Sequence, residues 1–280
     1  MRTGKRLALV LAAVAATSGV IYSTLSPTGM AQERIHTATQ ALSADAVPVT
    51  VPAGWKLTFD PAFTGTRLNT KVWATCYLWA KPSVGCTNFG NADEREWYLP
   101  SQDQVSDGIL DLAAERLPTA GRTAAGARKE YSCRSGMITS YPSFRFQYGY
   151  VQVTARIPRA AGLWSALWLV DAQDRWPPEI DILEHWGASD TGVYFHPAQA
   201  PRVAAHPRTA NLAQGWHTFA VSWTAASLTW FIDGRAVMST STGVPHEPMY
   251  FIANLADYEL PASGGCAGSL LIKSVKVWRP

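Results

Sequence analysis

The chain has 280 residues, 47% of them hydrophobic, and a formal charge of +3. Arg2, Lys5 and Arg6 supply that excess, because no acid precedes Glu33 and the remaining 21 basic residues balance 21 acids. A neutral body gives no support for nucleic acid or an anionic membrane as partner, and none of the four cysteines falls in a Cys-x-x-Cys zinc spacing.

From the N-terminus, Arg2, Lys5 and Arg6 lead into an apolar run from Leu7 to about Ala16. This is the layout of a secretory signal over residues 1–31, with Gly29-Met30-Ala31 as a small-x-small cleavage site. Extended to Tyr22, the run would instead serve as an uncleaved anchor, although Thr17, Ser18 and Gly19 weaken it. Secretion, or retention at the cell envelope, is the expectation. Residues 32–50 hold no sustained period and read as a linker. Residues 51–280 then form one domain that carries all 12 tryptophans. Aromatic faces stack on the C–H faces of sugar rings, so such a surplus leans toward carbohydrate.

The domain reads as strands throughout. Gly108–Ala113, Gly149–Ile157 and Trp216–Trp223 alternate polar and apolar residues. Leu228–Ile232, Asp233-Gly234 and Arg235–Val237 read as a hairpin with an Asp-Gly turn. Val193–His196, Met249–Leu255 and Leu270–Trp278 complete the set. Many short strands and no long helical period predict an all-β fold, a β-sandwich jelly roll. The even cysteine count of an exported chain implies disulfides with three possible connectivities. Pairing Cys76 with Cys86 would close a short loop and leave Cys133 for Cys266. No Gly-x-Ser-x-Gly elbow, phosphate loop or dinucleotide fingerprint is present.

The segment Glu179-Ile180-Asp181-Ile182-Leu183-Glu184 carries the candidate chemistry. On a strand Glu179 and Asp181 share a face, and strict alternation would put Glu184 on the other. One extra residue, taken up as a β-bulge, brings Glu184 back and turns Leu183 away. The competing reading is a short helix opened by Pro177-Pro178 and closed at Gly187, with Glu179 and Glu184 about 140° apart. The all-strand surroundings favour the bulged strand. Just upstream, Trp164, Ala166 and Trp168 share one face of a strand whose other face holds Leu163, Leu167 and Leu169. Trp164 and Trp168 are candidate floors of a sugar cleft, and Trp176, in the loop entering the acid strand, is a further platform. His196 is placed to hydrogen-bond a carboxylate if its strand lies beside the acids. His185 has opposite parity to Glu184 and reads as packing, while His217 has no evident partner.

These residues resemble glycoside hydrolase family 16, in its laminarinase-like branch. The resemblance rests on Trp176-Pro177-Pro178 followed by the bulged Glu-x-Asp-x-x-Glu run, on Asn91 through Tyr98, on Ser135–Ser140, on Arg156-Ile157-Pro158 and on Val275–Trp278. It covers nearly all of 51–280. It implies a jelly roll with a concave carbohydrate-binding cleft and retaining endo-hydrolysis of a β-linked polysaccharide, with β-1,3-glucan the expected substrate. Glu179 would be the nucleophile, Glu184 the acid/base, and Asp181 the group that holds their roles apart, with Asn91 touching substrate. Transglycosylation, or carbohydrate binding without catalysis, are the alternatives. A monomer with no cofactor is expected; a structural calcium ion occurs in the family, but no ligand set here identifies one. The chain departs from the family pattern at Gln152, Thr154, Ser165 and 256–261, positions expected to border the cleft.

Overall fold

The computed structural model describes residues 51–79, 94–123, 126–187, 212–258 and 266–280, with the backbone alone of three short strands, Gln40–Ala41, Val193–Phe195 and Val203–Ala205. The expected signal and most of the expected linker lie outside the described residues. Within them there is no α-helix, and one 3-10 turn at Pro100–Gln102. The all-β expectation holds.

Two sheets face each other. The larger runs, in spatial order, through Arg235–Thr240, Leu228–Ile232, His217–Trp223, Gly149–Arg156, Ala267–Arg279, Ile109–Glu115, Cys133–Ser135 and Glu96–Tyr98. The smaller, four-stranded sheet has the order Glu179–His185, Leu163–Asp171, Met249–Asp257, Met137–Thr139. Neighbours in sequence are neighbours in space at only part of this order, so the long Ala267–Arg279 strand closes the larger sheet between segments far from it in the chain.

The core lies between the sheets. Leu163, Leu167, Leu169, Ile180, Ile182 and Leu183 project into it from the smaller sheet. Val151, Val153, Phe219, Val221, Trp223, Trp230, Val275 and Val277 meet them from the larger. This is the period-2 patterning of each strand turned into burial, at about 1.5–3 kcal/mol for each large apolar side chain. Cys133 and Cys266, both buried, form a disulfide across a separation of 133 residues. Cys76 is also disulfide-bonded, and Cys86 lies outside the described residues.

The hairpin forms as expected, because Asp233 and Gly234 both take positive φ (50° and 74°) at the turn and pair Ile232 with Arg235. His217, which showed no partner in the sequence, takes one from this turn: its Nδ1 lies 2.8 Å from an Asp233 carboxylate oxygen. A second expectation is corrected. Gln152 and Thr154 do not border the concave face. Their strand belongs to the larger sheet, where Val151 and Val153 face the core and the alternate residues face away from it. Thr154 meets Ser274 on the neighbouring strand, with the two hydroxyl oxygens 3.2 Å apart.

Candidate active site

The acid strand and the tryptophan strand pair antiparallel, and their register fixes the site. Ser165 lies opposite His185, Ala166 opposite Glu184 and Leu167 opposite Leu183. The register then shifts, and Trp168 lies opposite Asp181, Leu169 opposite Ile180 and Val170 opposite Glu179. Ile182 is therefore the extra residue, and the expected bulge is present. Residues directly opposite in such a ladder point to the same face. Glu179, Asp181 and Glu184 thus share the face of Val170, Trp168 and Ala166. Ile182 and Leu183, successive in sequence, both enter the core. Glu179 is half-buried, whereas Asp181 and Glu184 are buried. Four partner positions separate the outer acids, so their Cα atoms stand roughly 13 Å apart at ~3.3 Å per residue.

Aromatic residues flank this row on both sides. The chain leaves the tryptophan strand at Asp171, whose buried carboxylate binds Arg175 at 2.6 Å. That ion pair ties down the loop which presents Trp176, 62% exposed. The Trp176 indole N–H donates to Glu179 Oε2 at 3.0 Å. Trp164 stacks on Trp186, with ring centroids 5.1 Å apart, and meets the edge of Tyr258. Gly187, at φ +78°, turns the chain after Trp186, and a Cβ there would collide with the Ala160 carbonyl. His185, on the core side, accepts a hydrogen bond from the Gly187 N–H through Nδ1. It packs, as expected from its parity; Ser165, opposite it and buried with the parity of Leu163 and Leu167, faces the core side and does not border the cleft as expected.

Beside the middle acid lies a polar and aromatic layer of which sequence reasoning read only Trp168. Trp168 donates its indole N–H to Asn254 Oδ1 at 2.8 Å, and the Asn254 amide donates to the Tyr98 hydroxyl at 3.0 Å. Tyr77 packs edge-on to both Trp168 and Tyr98 and stacks on Trp79. Two further buried acids, Glu94 and Glu96, adjoin this layer. Glu96 accepts the Asp257 backbone N–H at 2.8 Å, and Arg95 pairs with the Asp257 carboxylate at 3.1 Å. Burial first, and then the negative charge of Glu94, hold the Glu96 carboxyl well above the usual range. Burial and the charges of Glu94, Glu96 and, more weakly, Glu179 raise the Tyr77 hydroxyl. The signal was available, since Glu94, Glu96 and Tyr98 alternate at strand spacing. What the sequence did not show is that this edge segment comes to lie against the end of Met249–Asp257, the strand that pairs with the tryptophan strand.

Of the residues singled out in the sequence, the structure brings together Glu179, Asp181, Glu184, Trp164, Trp168 and Trp176. Asn91 and His196 lie outside the described residues; the strand before His196, Val193–Phe195, pairs with Val203–Ala205. Among the described residues, Cys133, Asp257 and Cys266 bring three potential metal-ligand atoms within 4.8 Å of one another. The disulfide removes both thiolates from this group.

A family model for glycosyl hydrolases family 16 matches residues 94–261, a span that includes all three acids. The chain belongs to this family. Among curated relatives, endo-1,3-1,4-beta-glycanase EglC of Rhizobium meliloti (strain 1021) is 32% identical over 235 residues, covering 75% of this chain and 47% of that protein. The chain spans about half the length of the first curated relatives it matches. Among solved structures, the laminarinase catalytic domain from Thermotoga maritima superposes with a TM-score of 0.65 at 21% identity, covering 81% of this chain and 98% of that one. SCLam, a non-specific endo-beta-1,3(4)-glucanase of family 16, gives a TM-score of 0.67 at 23% identity over 84% of this chain and 94% of its own. At these identities the structural likeness establishes the jelly-roll fold.

Proposed function

We propose that this chain is a retaining endo-β-glycanase that cleaves β-1,3-glucan by double displacement. The register shift at Ile182 carries the reading. It sets three carboxylates on one face, in line with Trp168 and between the exposed Trp176 and the Trp164–Trp186 stack. A glycan lying along that line would meet indole rings on either side of the acids. Glu179 is the proposed nucleophile, and the Trp176 N–H suits that role by donating to the form that must attack the anomeric carbon. Glu184 is the proposed acid/base, which protonates the leaving oxygen and then activates water. Asp181 stands between them in the row and is the proposed group that keeps the two roles apart.

The names of the relatives support a β-1,3- or mixed-linkage β-glucan as substrate. The basic and apolar N-terminal layout supports secretion. The test is a panel of β-glucans with product analysis, run on the native chain and on Glu179→Gln and Glu184→Gln. Each substitution is expected to lower turnover by at least ~10³-fold on every cleaved glycan. Turnover that survives either change refutes the assignment. NMR of the first-formed anomer is expected to show retention, and initial inversion refutes double displacement. Products longer than the substrate would identify a transglycosylase instead.

A further inference from the structure

We infer that Trp230, on the opposite sheet, is a positioning residue that sets the angle at which the acids leave their strand. This rests on the roles proposed for Glu179, Asp181 and Glu184. The strand Leu228–Ile232 belongs to the larger sheet and projects Leu228, Trp230 and Ile232 into the core. Trp230 is fully buried, and its indole N–H crosses the core to donate to the main-chain carbonyl of Asp181 at 2.7 Å. That carbonyl belongs to the peptide joining Asp181 to Ile182, the extra residue of the bulge.

In a regular ladder, carbonyls lie in the plane of the sheet and aim at neighbouring strands. A bulge takes its extra residue out of the ladder and twists the strand locally. Next to this extra residue, the Asp181 carbonyl accepts from an indole that reaches it out of the other sheet. Two forces then act on the bulge. Burial of Ile182 and Leu183 decides which residues point inward, but that force has no direction. The Trp230 bond is directional, so it fixes the plane of the Asp181–Ile182 peptide. That plane sets where the side chains of Asp181, before it, and Glu184, two residues beyond Ile182, emerge on the cleft face. A displacement of ~1 Å at reacting groups can cost ~10²-fold in rate, so an anchor remote from substrate can govern turnover.

A matched control lies in the same sheet. Trp223 is also fully buried, and its indole N–H donates to the Pro245 carbonyl at 2.9 Å, away from the acid strand. Trp230→Phe and Trp223→Phe each remove one buried indole N–H and keep an aromatic ring. On a soluble β-1,3-glucan, Trp230→Phe is expected to lower kcat at least ~30-fold with KM within threefold. Trp223→Phe should leave both within threefold, although both variants melt lower than the native chain. Amide hydrogen exchange supplies a readout independent of turnover, and Trp230→Phe should speed it at Ile182, Leu183 and Glu184 while Trp223→Phe does not. If Trp230→Phe does not fold, replacing Trp230 by 3-benzothienylalanine, which keeps the indole shape but has no N–H, carries the same expectation. A Trp230 variant with native kcat, or a Trp223 variant with the same loss, overturns the inference. If the native chain cleaves no glucan, the proposed function fails, and the exchange comparison alone decides this one: faster exchange in the Trp230 variant supports it and unchanged exchange overturns it.

Discussion

Deleting Ile182 tests the parity reasoning directly. The deletion turns Glu-x-Asp-x-x-Glu into Glu-x-Asp-x-Glu, in which strict alternation already puts all three acids on one face. Four strand positions still separate the outer two, so their spacing of roughly 13 Å is unchanged. What is lost is a core side chain, since Ile182 is 1% exposed, together with the bulged geometry in which the Asp181 carbonyl meets the Trp230 N–H. The first costs about 3 kcal/mol in a strand that can close up, and the second about 1 kcal/mol. A loss of about 4 kcal/mol lowers the melting temperature of a domain this size by roughly 8–16 °C. The ladder, rather than Trp230, would then orient the Asp181 peptide. The folded variant should keep at least ~1% of native kcat/KM. The complementary change, one alanine inserted between Ile182 and Leu183, either turns Glu184 into the core or moves it ~6.6 Å along the strand, and should leave less than ~0.1%. Far-UV circular dichroism, a thermal melt and a reducing-end assay below the melting range read all three quantities. A folded deletion variant as inactive as Glu184→Gln would refute the idea that the extra residue serves to correct parity.

Replacing Cys133 and Cys266 together by alanine opens a loop of 133 residues, which should cost about 5 kcal/mol through chain entropy and lower the melting temperature by roughly 10–20 °C; a shift under ~3 °C would show that the bridge contributes little. Glu96→Gln should make stability less dependent on pH. The Glu96 carboxyl sits well above 4.5 in the folded chain, so the native state holds a proton that the unfolded state releases. Its contribution is therefore fully present below about 4.3 and is lost as pH rises from there toward the folded value. The glutamine variant, whose carbonyl can still accept the Asp257 N–H, should match native stability near pH 4 and exceed it at pH 7–8; urea melts at the two pH values measure this, and an equal difference at both would count against a protonated Glu96. Trp176→Ala should raise KM for a long glucan about tenfold, or ~1.4 kcal/mol, with a smaller change for short oligosaccharides, as initial rates across substrate lengths would show.

The acid row was legible because its information is local. Strand period and a six-residue count suffice to show that Glu179 and Glu184 disagree in parity and that one extra residue reconciles them. The inward leucines 163, 167 and 169 and the Asp233-Gly234 turn were legible for the same reason, since period and turn chemistry act over a few residues. The misplacement of Gln152 and Thr154 has the opposite origin. Their alternation was read correctly, but alternation does not say which sheet a strand joins. Glu94 and Glu96 were overlooked because two acids on a short alternating segment look like a solvated edge until something covers them.

The sequence by itself determined the all-β class, the face each acid takes and the need for a bulge between Asp181 and Glu184, because those follow from dihedral periodicity and from which side chains avoid water; that Ile182 is the extra residue came from the strand register. Only the tertiary structure decided what surrounds them. Asn254 binds Trp168 from 86 residues away, and Trp230 reaches Asp181 from 49 residues away across the core. Such partners are set by the order of strands in the sheets and by packing between them, which burial of apolar area favours without direction. Hydrogen bonds made across that packing then give the acids their orientation.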